Sequence, residues 1–253
     1  MKKFFIFLLF ILFSAGYVFC QETEETDISD EKNYVDEKDM TVSEVEELLQ
    51  SGGFINRIDF VFGIAPILSI NSHTKNSDGK FISAPSPIAM DIYFGLSVPN
   101  YTPISFQPSL RVFNSYSLVY NDMVLPAEIE NRTGQTLSFL LNLPVVFKLN
   151  YKNRCSWSVF GGLAGLFRYS ILPANVKETE PGFTGTVRSD IDYMNKWHYK
   201  NLRFLYVSTG IDWLFYYGTT KYGPELAVFF PISVFSDKSI DGLMISVGIK
   251  VEF

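Results

Sequence analysis

The chain has 253 residues, 47% of them apolar, and a formal net charge of −6. Residues 21–50 hold twelve acids against Lys32 and Lys38, and Lys2 and Lys3 precede them, so residues 51–253 carry a net +2 from 32 charged residues among 203. That share lies well under the roughly 25% of soluble domains and leaves little to cover a water-facing surface, while the scattered bases exclude a nucleic-acid stripe.

Lys2-Lys3, the apolar run Phe4 to Phe13 and small Ser14-Ala15-Gly16 read as an export signal, placed at residues 1–20. The apolar core is too short to span a bilayer. Cleavage after Gly16, cleavage after Cys20, lipidation of Cys20 and retention as an anchor all stay open. With Cys20 removed, Cys155 is the one thiol of the mature body, and one thiol makes no internal disulfide.

Residues 21–53 form an acidic leader. Its first half lacks periodicity and is expected to be disordered. Thr41-Val42-Ser43-Glu44 is a capping box, Val45, Leu48 and Leu49 share a helical face, and Gly52-Gly53 stops the run. This predicts a short amphipathic periplasmic helix over about 41–51, resting under a barrel, plugging it or binding a periplasmic partner, or else a solvated tail with one helical turn.

From Arg57 onward the period is two, the mark of strands with one apolar face. The first strand, about 56–70, sets Ile58, Phe60, Phe62 and Ile64 against Asp59 and Gly63. About 88–98, Ile92, Phe94 and Leu96 oppose Asp91, Tyr93, Gly95 and Ser97. About 104–119, Ile104, Phe106, Leu110 and Val112 oppose Gln107, Ser109 and Arg111. The fourth is the cleanest: Leu137 through Tyr151 on odd positions against Ser138, Asn142 and Lys148. About 156–170, Trp157, Val159, Leu163 and Phe167 oppose Ser158, Ala164 and Arg168. About 202–217, Leu205, Val207, Ile211 and Trp213 oppose Ser208 and Asp212, and about 225–235, Leu226, Val228 and Phe230 oppose Glu225 and Ala227. The eighth, Leu243 to Phe253, alternates Val247, Ile249, Val251 and Phe253 with Gly248, Lys250 and Glu252. Splitting the third strand or the 171–201 segment would raise the count to ten.

The alternation, the terminal Phe253 and connections that run alternately long and short resemble the small bacterial outer-membrane β-barrel family. The resemblance covers residues 55–253 as a pattern, which places the barrel at 54–253. It implies an all-β, closed antiparallel up-and-down transmembrane barrel of about eight strands, with outer-membrane lipid as solvent and both termini in the periplasm. It also implies that Val247, Ile249, Val251 and Phe253 form a C-terminal insertion signal read by the barrel-insertion machinery. Leu137 to Leu149, with Pro144 at its middle, is similar to the Pro-centred strand of porin-like barrels, and a bulge is expected at Pro144 because proline donates no ladder hydrogen bond.

Asp59, Asp91, Arg111, Lys148, Arg168, Asp212, Glu225, Lys250 and Glu252 all fall on the polar parity. Five acids beside four bases on one face point to a lumen charge network, since lone buried charges are too costly. A lipocalin-like barrel or a sandwich turns its apolar face inward instead and then needs a strongly charged outer face, which this sequence lacks.

There is no phosphate loop, paired-Cys metal spacing or His-Glu-x-x-His, so no cofactor and no metal are expected. His73 and His198 are the two histidines, both in expected outer loops. The leading expectation is a non-enzymatic, porin-like outer-membrane barrel for small-solute passage, surface-loop interaction or anchoring. The alternatives are a barrel enzyme acting on lipid or peptide with His198 as general base, and a periplasmic ligand-binding barrel.

Overall fold

The computed structural model describes residues 58–80, 84–98, 103–128, 133–150, 155–171 and 187–253. The export signal, the acidic leader and the 41–51 segment lie outside these residues. The elements are β1 (Asp59–Ser69), β2 (Ile88–Ser97), β3 (Ile104–Phe106), β4 (Ser109–Tyr120), β5 (Met123–Ala127), β6 (Gly134–Asn150) and β7 (Cys155–Ile171). Then come α1 (Val187–His198), a 3₁₀ turn (Lys200–Leu202), β8 (Leu205–Tyr217), β9 (Thr220–Pro231), α2 (Val234–Asp237) and β10 (Met244–Glu252).

Every strand pairs antiparallel with its neighbours, and β1 pairs with both β2 and β10, so the sheet closes on itself. The seam holds to the last residue, where the Phe253 N–H donates to the Phe60 carbonyl at 2.9 Å and the Phe60 N–H returns to Phe253 at 3.1 Å. β3 and β4 are one spanning strand. Ile104 faces Phe147, Phe106 faces Val145 and Ser109 faces Asn142 in a single register against β6. Gln107-Pro108 only interrupts the ladder locally. Eight strands therefore span, and the third is not split into two.

Two expectations fail and one strand was not foreseen, each for a local reason. No bulge occurs at Pro144, because its carbonyl still accepts the Gln107 N–H at 3.0 Å and the pairing with β7 runs through Pro144 and Gly162 unbroken. The irregularity in β6 lies between Lys148 and Asn150. The turn after β8 is not 218–224 but the pair Gly218-Thr219, with Gly218 at φ 61 supplying the left-handed first position of a tight hairpin. Finally, β5 was not legible as a strand. Asn121 and Asp122, at φ 46 and 58, fold the end of β4 back on itself as a two-residue turn.

Cys155, at the start of β7, is disulfide-bonded, whereas the reading with Cys20 removed leaves it alone; Cys20 lies outside the described residues.

Both termini of the described barrel and its short turns sit at one end, and the connections carrying β5, α1 and α2 sit at the other, called here the long-loop end. Along most of each spanning strand side chains alternate between outside and inside, and the alternation in burial lapses at Asp212-Trp213-Leu214 and Ser117-Leu118. Phe60, Phe62, Ile92, Phe94, Leu141, Leu163 and Ile249 point outward and are exposed, Phe60 by 65% and Leu163 by 54%. Val61, Ala65, Ile67, Tyr93, Phe113, Leu140, Phe229 and Met244 point inward and are buried. A closed ladder gives each backbone polar group a protein partner, which hydrocarbon demands and an open sheet edge cannot supply.

A base at the middle of the outward belt should therefore be far costlier than one at its rim. Leu141→Arg should lower the free energy of folding into a bilayer by about 2–4 kcal/mol and Tyr217→Arg, at the terminal end, by about 0–1 kcal/mol. Denaturant titrations of folding into lipid vesicles check this; equal costs at both positions would contradict the outward assignment.

Candidate functional site

The interior is built in two layers, and the lower one, toward the termini, is charged. Arg111 on β4 is 1% exposed. Its Nη1 donates to Asp91 Oδ2 at 3.0 Å and to Ser246 Oγ at 3.2 Å, and its Nη2 donates to Glu225 Oε1. The guanidinium lies 4.0 Å from the Tyr93 ring centroid. Tyr93 reaches that place because it faces Gly63 across the β1–β2 ladder and lies over it; a Cβ at Gly63 would overlap the phenol ring.

Lys250 on β10 heads the second half of the layer. Its Nζ donates to Asp212 Oδ2 at 2.8 Å and to Gln107 Oε1 at 2.7 Å, and it lies 3.0 Å from Glu252 Oε1. Gln107 Nε2 donates to Ser97 Oγ and to Glu252 Oε1, both at 3.0 Å. Lys221 then bridges Glu252 Oε2 at 3.3 Å and Asp59 Oδ2 at 2.9 Å, near the terminal mouth. Gly63, Gly223 and Gly248 face Lys250 or Glu225 across the ladder. Small residues beside large ones let the charged side chains cross a narrow lumen.

Of the nine charges read from the sequence, Asp59, Asp91, Arg111, Asp212, Glu225, Lys250 and Glu252 meet in this assembly. Lys148 is half-buried on the same inward face, opposite Ser158. Arg168 stands apart at the long-loop end, across the ladder from Ser138. Lys221 was missed because it was assigned to a turn. Its inward parity with Gly223 and Glu225 was the available signal. Val247, Ile249, Val251 and Phe253 lie on the outer face of β10, with Ile249 and Phe253 well exposed.

The upper layer is mainly apolar, topped by hydroxyls that bond one another, Thr136 with Ser117 and Ser170. Ile67, Phe113, Leu140, Leu166, Tyr206, Phe229 and Met244 form one buried cluster that continues down to Val146 and Phe160. Phe160 fills the space a Cβ at Gly210 would take. A cavity of about 20 Å³, enough for about one water molecule, lies between the layers beside Arg111, Glu225, Lys250 and Asn142.

At the long-loop end β7 outruns β8, and α1 lies along the uncovered edge. Asn195 Oδ1 accepts the Ser170 N–H at 2.7 Å and its Nδ2 donates to the Ser170 carbonyl at 3.2 Å. The Tyr199 hydroxyl donates to the Arg168 carbonyl at 3.0 Å, and His198 Nε2 bonds the Leu166 carbonyl at 2.8 Å. Side chains of a helix thus do the work of a missing strand and blunt a sheet edge. His198 is 3% exposed. Burial, with Arg168 and Arg203 nearby, pushes its pKa down to about 3. With Nε2–H donating to a carbonyl, the ring fastens the end of α1 to β7.

His73 Nδ1 lies 2.5 Å from Asp241 Oδ2, and Asp241 also accepts from Ser239 Oγ, from the Ser72 N–H and from Ser72 Oγ at 2.8 Å. Burial would raise the Asp241 pKa, but these hydrogen bonds and His73 hold it below the usual carboxylate range. Ser72 Oγ bonds the carboxylate directly and also lies 3.3 Å from His73 Nδ1. This cluster ties the first and last long connections together across the β1–β10 seam.

A closed eight-stranded barrel with apolar side chains outside and ion pairs inside is a transmembrane β-barrel. The sequence matches no protein-family model and no curated protein. Among solved structures it is similar to Neisserial surface protein A at 6% identity and a TM-score of 0.42, covering 77% of this chain and 95% of that one. It is also similar to Ail, the attachment invasion locus protein of Yersinia pestis, solved with the heparin analogue sucrose octasulfate, at 9% identity and 0.36, covering 78% and 97%. Ail in a phospholipid bilayer nanodisc gives 9% and 0.35, covering 77% and 99%. At such identities and scores, the fold assignment stands on the strand pairing and the sidedness of the strands.

Removing Arg111 strands two buried carboxylates. Arg111→Met should cost about 3–5 kcal/mol of stability, and the triple change Arg111→Met, Asp91→Asn, Glu225→Gln should recover most of it; guanidinium unfolding in detergent micelles measures both. His198 is neutral when docked and takes up a proton near its ordinary 6.5 when released. The stability it lends α1 is therefore whole above pH 6.5 and is lost as the pH falls toward 3. Amide exchange across α1, corrected for its intrinsic pH dependence, should lose protection on acidification from about pH 7 to about pH 4, and His198→Gln should flatten that response.

Proposed function

We propose that this protein is an outer-membrane barrel whose lumen is closed and whose work is done at its long-loop end, as a surface anchor or interaction platform rather than a solute channel. The observation that carries the reading is the filled interior. Arg111, Glu225, Lys250 and Glu252 cross the lower half of the lumen and Phe113, Leu140, Phe229 and Met244 pack the upper half. Eight-stranded barrels are just wide enough for their own side chains to fill. A cavity holding about one water is no route for a solute.

In this reading the long-loop end, with β5, α1 and α2, faces the cell exterior, and the short turns and both termini face the periplasm. Long outer loops and short inner turns are the usual asymmetry of such barrels. The barrel is read as non-enzymatic: the burial of His198, which keeps its ring away from any outside substrate, supports this. The last strand, with Val247, Ile249, Val251 and Phe253 outward, is the segment the insertion machinery would take up.

The refolded full chain in a planar bilayer should show no discrete conductance. Current steps of a reproducible size would overturn the closed-lumen reading in favour of solute passage.

A further inference from the structure

The outward apolar face does not stop where the ladder stops. Val207 and Phe230 face each other across β8–β9 and are 41% and 46% exposed. One step further, the Ile232 N–H donates to the Leu205 carbonyl at 2.9 Å, and the Phe235 N–H donates to Ile232 at 3.2 Å. Phe235, on α2, is 86% exposed. In the segment that Arg203 ties to α2, Leu202 is 53% exposed and held at φ 57, in the left-handed region that a bulky side chain seldom occupies. A strained backbone that presents a leucine outward needs something for the leucine to meet.

Together, the two segments that carry these side chains are basic. Arg203 Nε donates to Asp237 Oδ2 at 2.9 Å, its Nη1 donates to the Trp197 carbonyl at 3.4 Å, and its guanidinium lies 4.0 Å over the Trp197 ring. This contact joins the 196–204 segment to α2. Lys196, Lys200 and Lys238 are exposed around it, and the one acid within the patch, Asp237, is engaged by Arg203. The rest of the described rim is mixed or acidic: Lys75 and Lys80 accompany Asp78 and Asp241, and Asp122 and Glu128 flank β5.

We infer that residues 196–204 and 232–238 form a docking surface for phosphate-bearing lipid headgroups in the leaflet at the long-loop end. Phe235 and Leu202 enter the acyl boundary, and Lys196, Lys200, Arg203 and Lys238 meet the phosphates. The inference rests on the barrel spanning a bilayer. Lipid is the occupant because the patch follows directly on the lipid-facing end of β8–β9, where Ile232 bonds Leu205 and Phe235 bonds Ile232, and its charge is opposite to that of the phosphates.

The test uses the full chain reconstituted in phosphatidylcholine bilayers containing spin-labelled phosphatidic acid or spin-labelled phosphatidylcholine, read as the fraction of motionally restricted label. One base near a headgroup surface is worth about 1 kcal/mol, or roughly fivefold. The unaltered protein should hold phosphatidic acid about fivefold over phosphatidylcholine. A Lys196→Gln, Lys200→Gln, Lys238→Gln variant, all at exposed positions and with Arg203 kept, should fall toward parity. Raised salt should do the same. Equal selectivity in the two proteins overturns the docking surface while leaving the barrel in place. No restricted component with either label would instead remove the barrel from the bilayer, and with it the proposed function.

Discussion

Arg111 holds the interior together. It sits at the crossing of four strands, donating to Asp91 on β2, Glu225 on β9 and Ser246 on β10 from its own place on β4. An arginine can do this because its planar fork offers several donors in fixed directions. The Tyr93 face beneath it and the Gly63 beneath Tyr93 are the supports that set its height in the lumen. Lys250, Gln107 and Glu252 extend the same network toward the terminal mouth. Each charge in it is costly alone, and each is stabilised by the others.

That network explains how so polar a face coexists with so apolar a belt. Lipid on one side leaves no room for charge at the outward positions, so the chain's few charges collect inward. A closed wall of eight strands then brings them within hydrogen-bonding distance. The apolar layer above, from Ile67 to Met244, completes the closure. At the rim the sheet ends unevenly, and α1 supplies through Asn195, His198 and Tyr199 the hydrogen bonds that β8 does not reach to give.

Much of this was legible in the sequence. Strict alternation in Leu137 to Leu149 and in Leu243 to Phe253 marks both the strands and the side each residue takes, because the side-chain period of a strand is two and one face must be apolar. The inward charges followed from parity alone. What parity does not reveal is partnership. Lys221 was misplaced because Gly218, Gly223 and Pro224 read as one turn, whereas only Gly218 turns and Gly223 sits in the ladder opposite Lys250, where a Cβ would meet the Trp213 carbonyl. The Pro144 bulge failed because one missing donor is cheap where the carbonyl keeps its bond. α1 was hidden in a polar connection whose meaning depends on the exposed edge of β7, a feature of the folded wall and not of any local pattern. Arg168 and Lys221 exchanged roles for the same reason: height along the barrel is set by pairing register, which composition does not encode.

The central claim is that the greasy side of each strand faces acyl chains while the salt-forming side is enclosed. The most direct measurement places single spin labels along β6 and β7, with Cys20 and Cys155 replaced by Ser, and compares collisions with oxygen and with a water-soluble nickel chelate in lipid bilayers. Labels at Phe139, Leu141, Leu143 and Leu163 should be open to oxygen and closed to nickel, and labels at Ser138, Leu140, Asn142 and Ala164 should be closed to both. Nickel access at the first set, or oxygen access at the second with no alternation along the strand, would contradict the account.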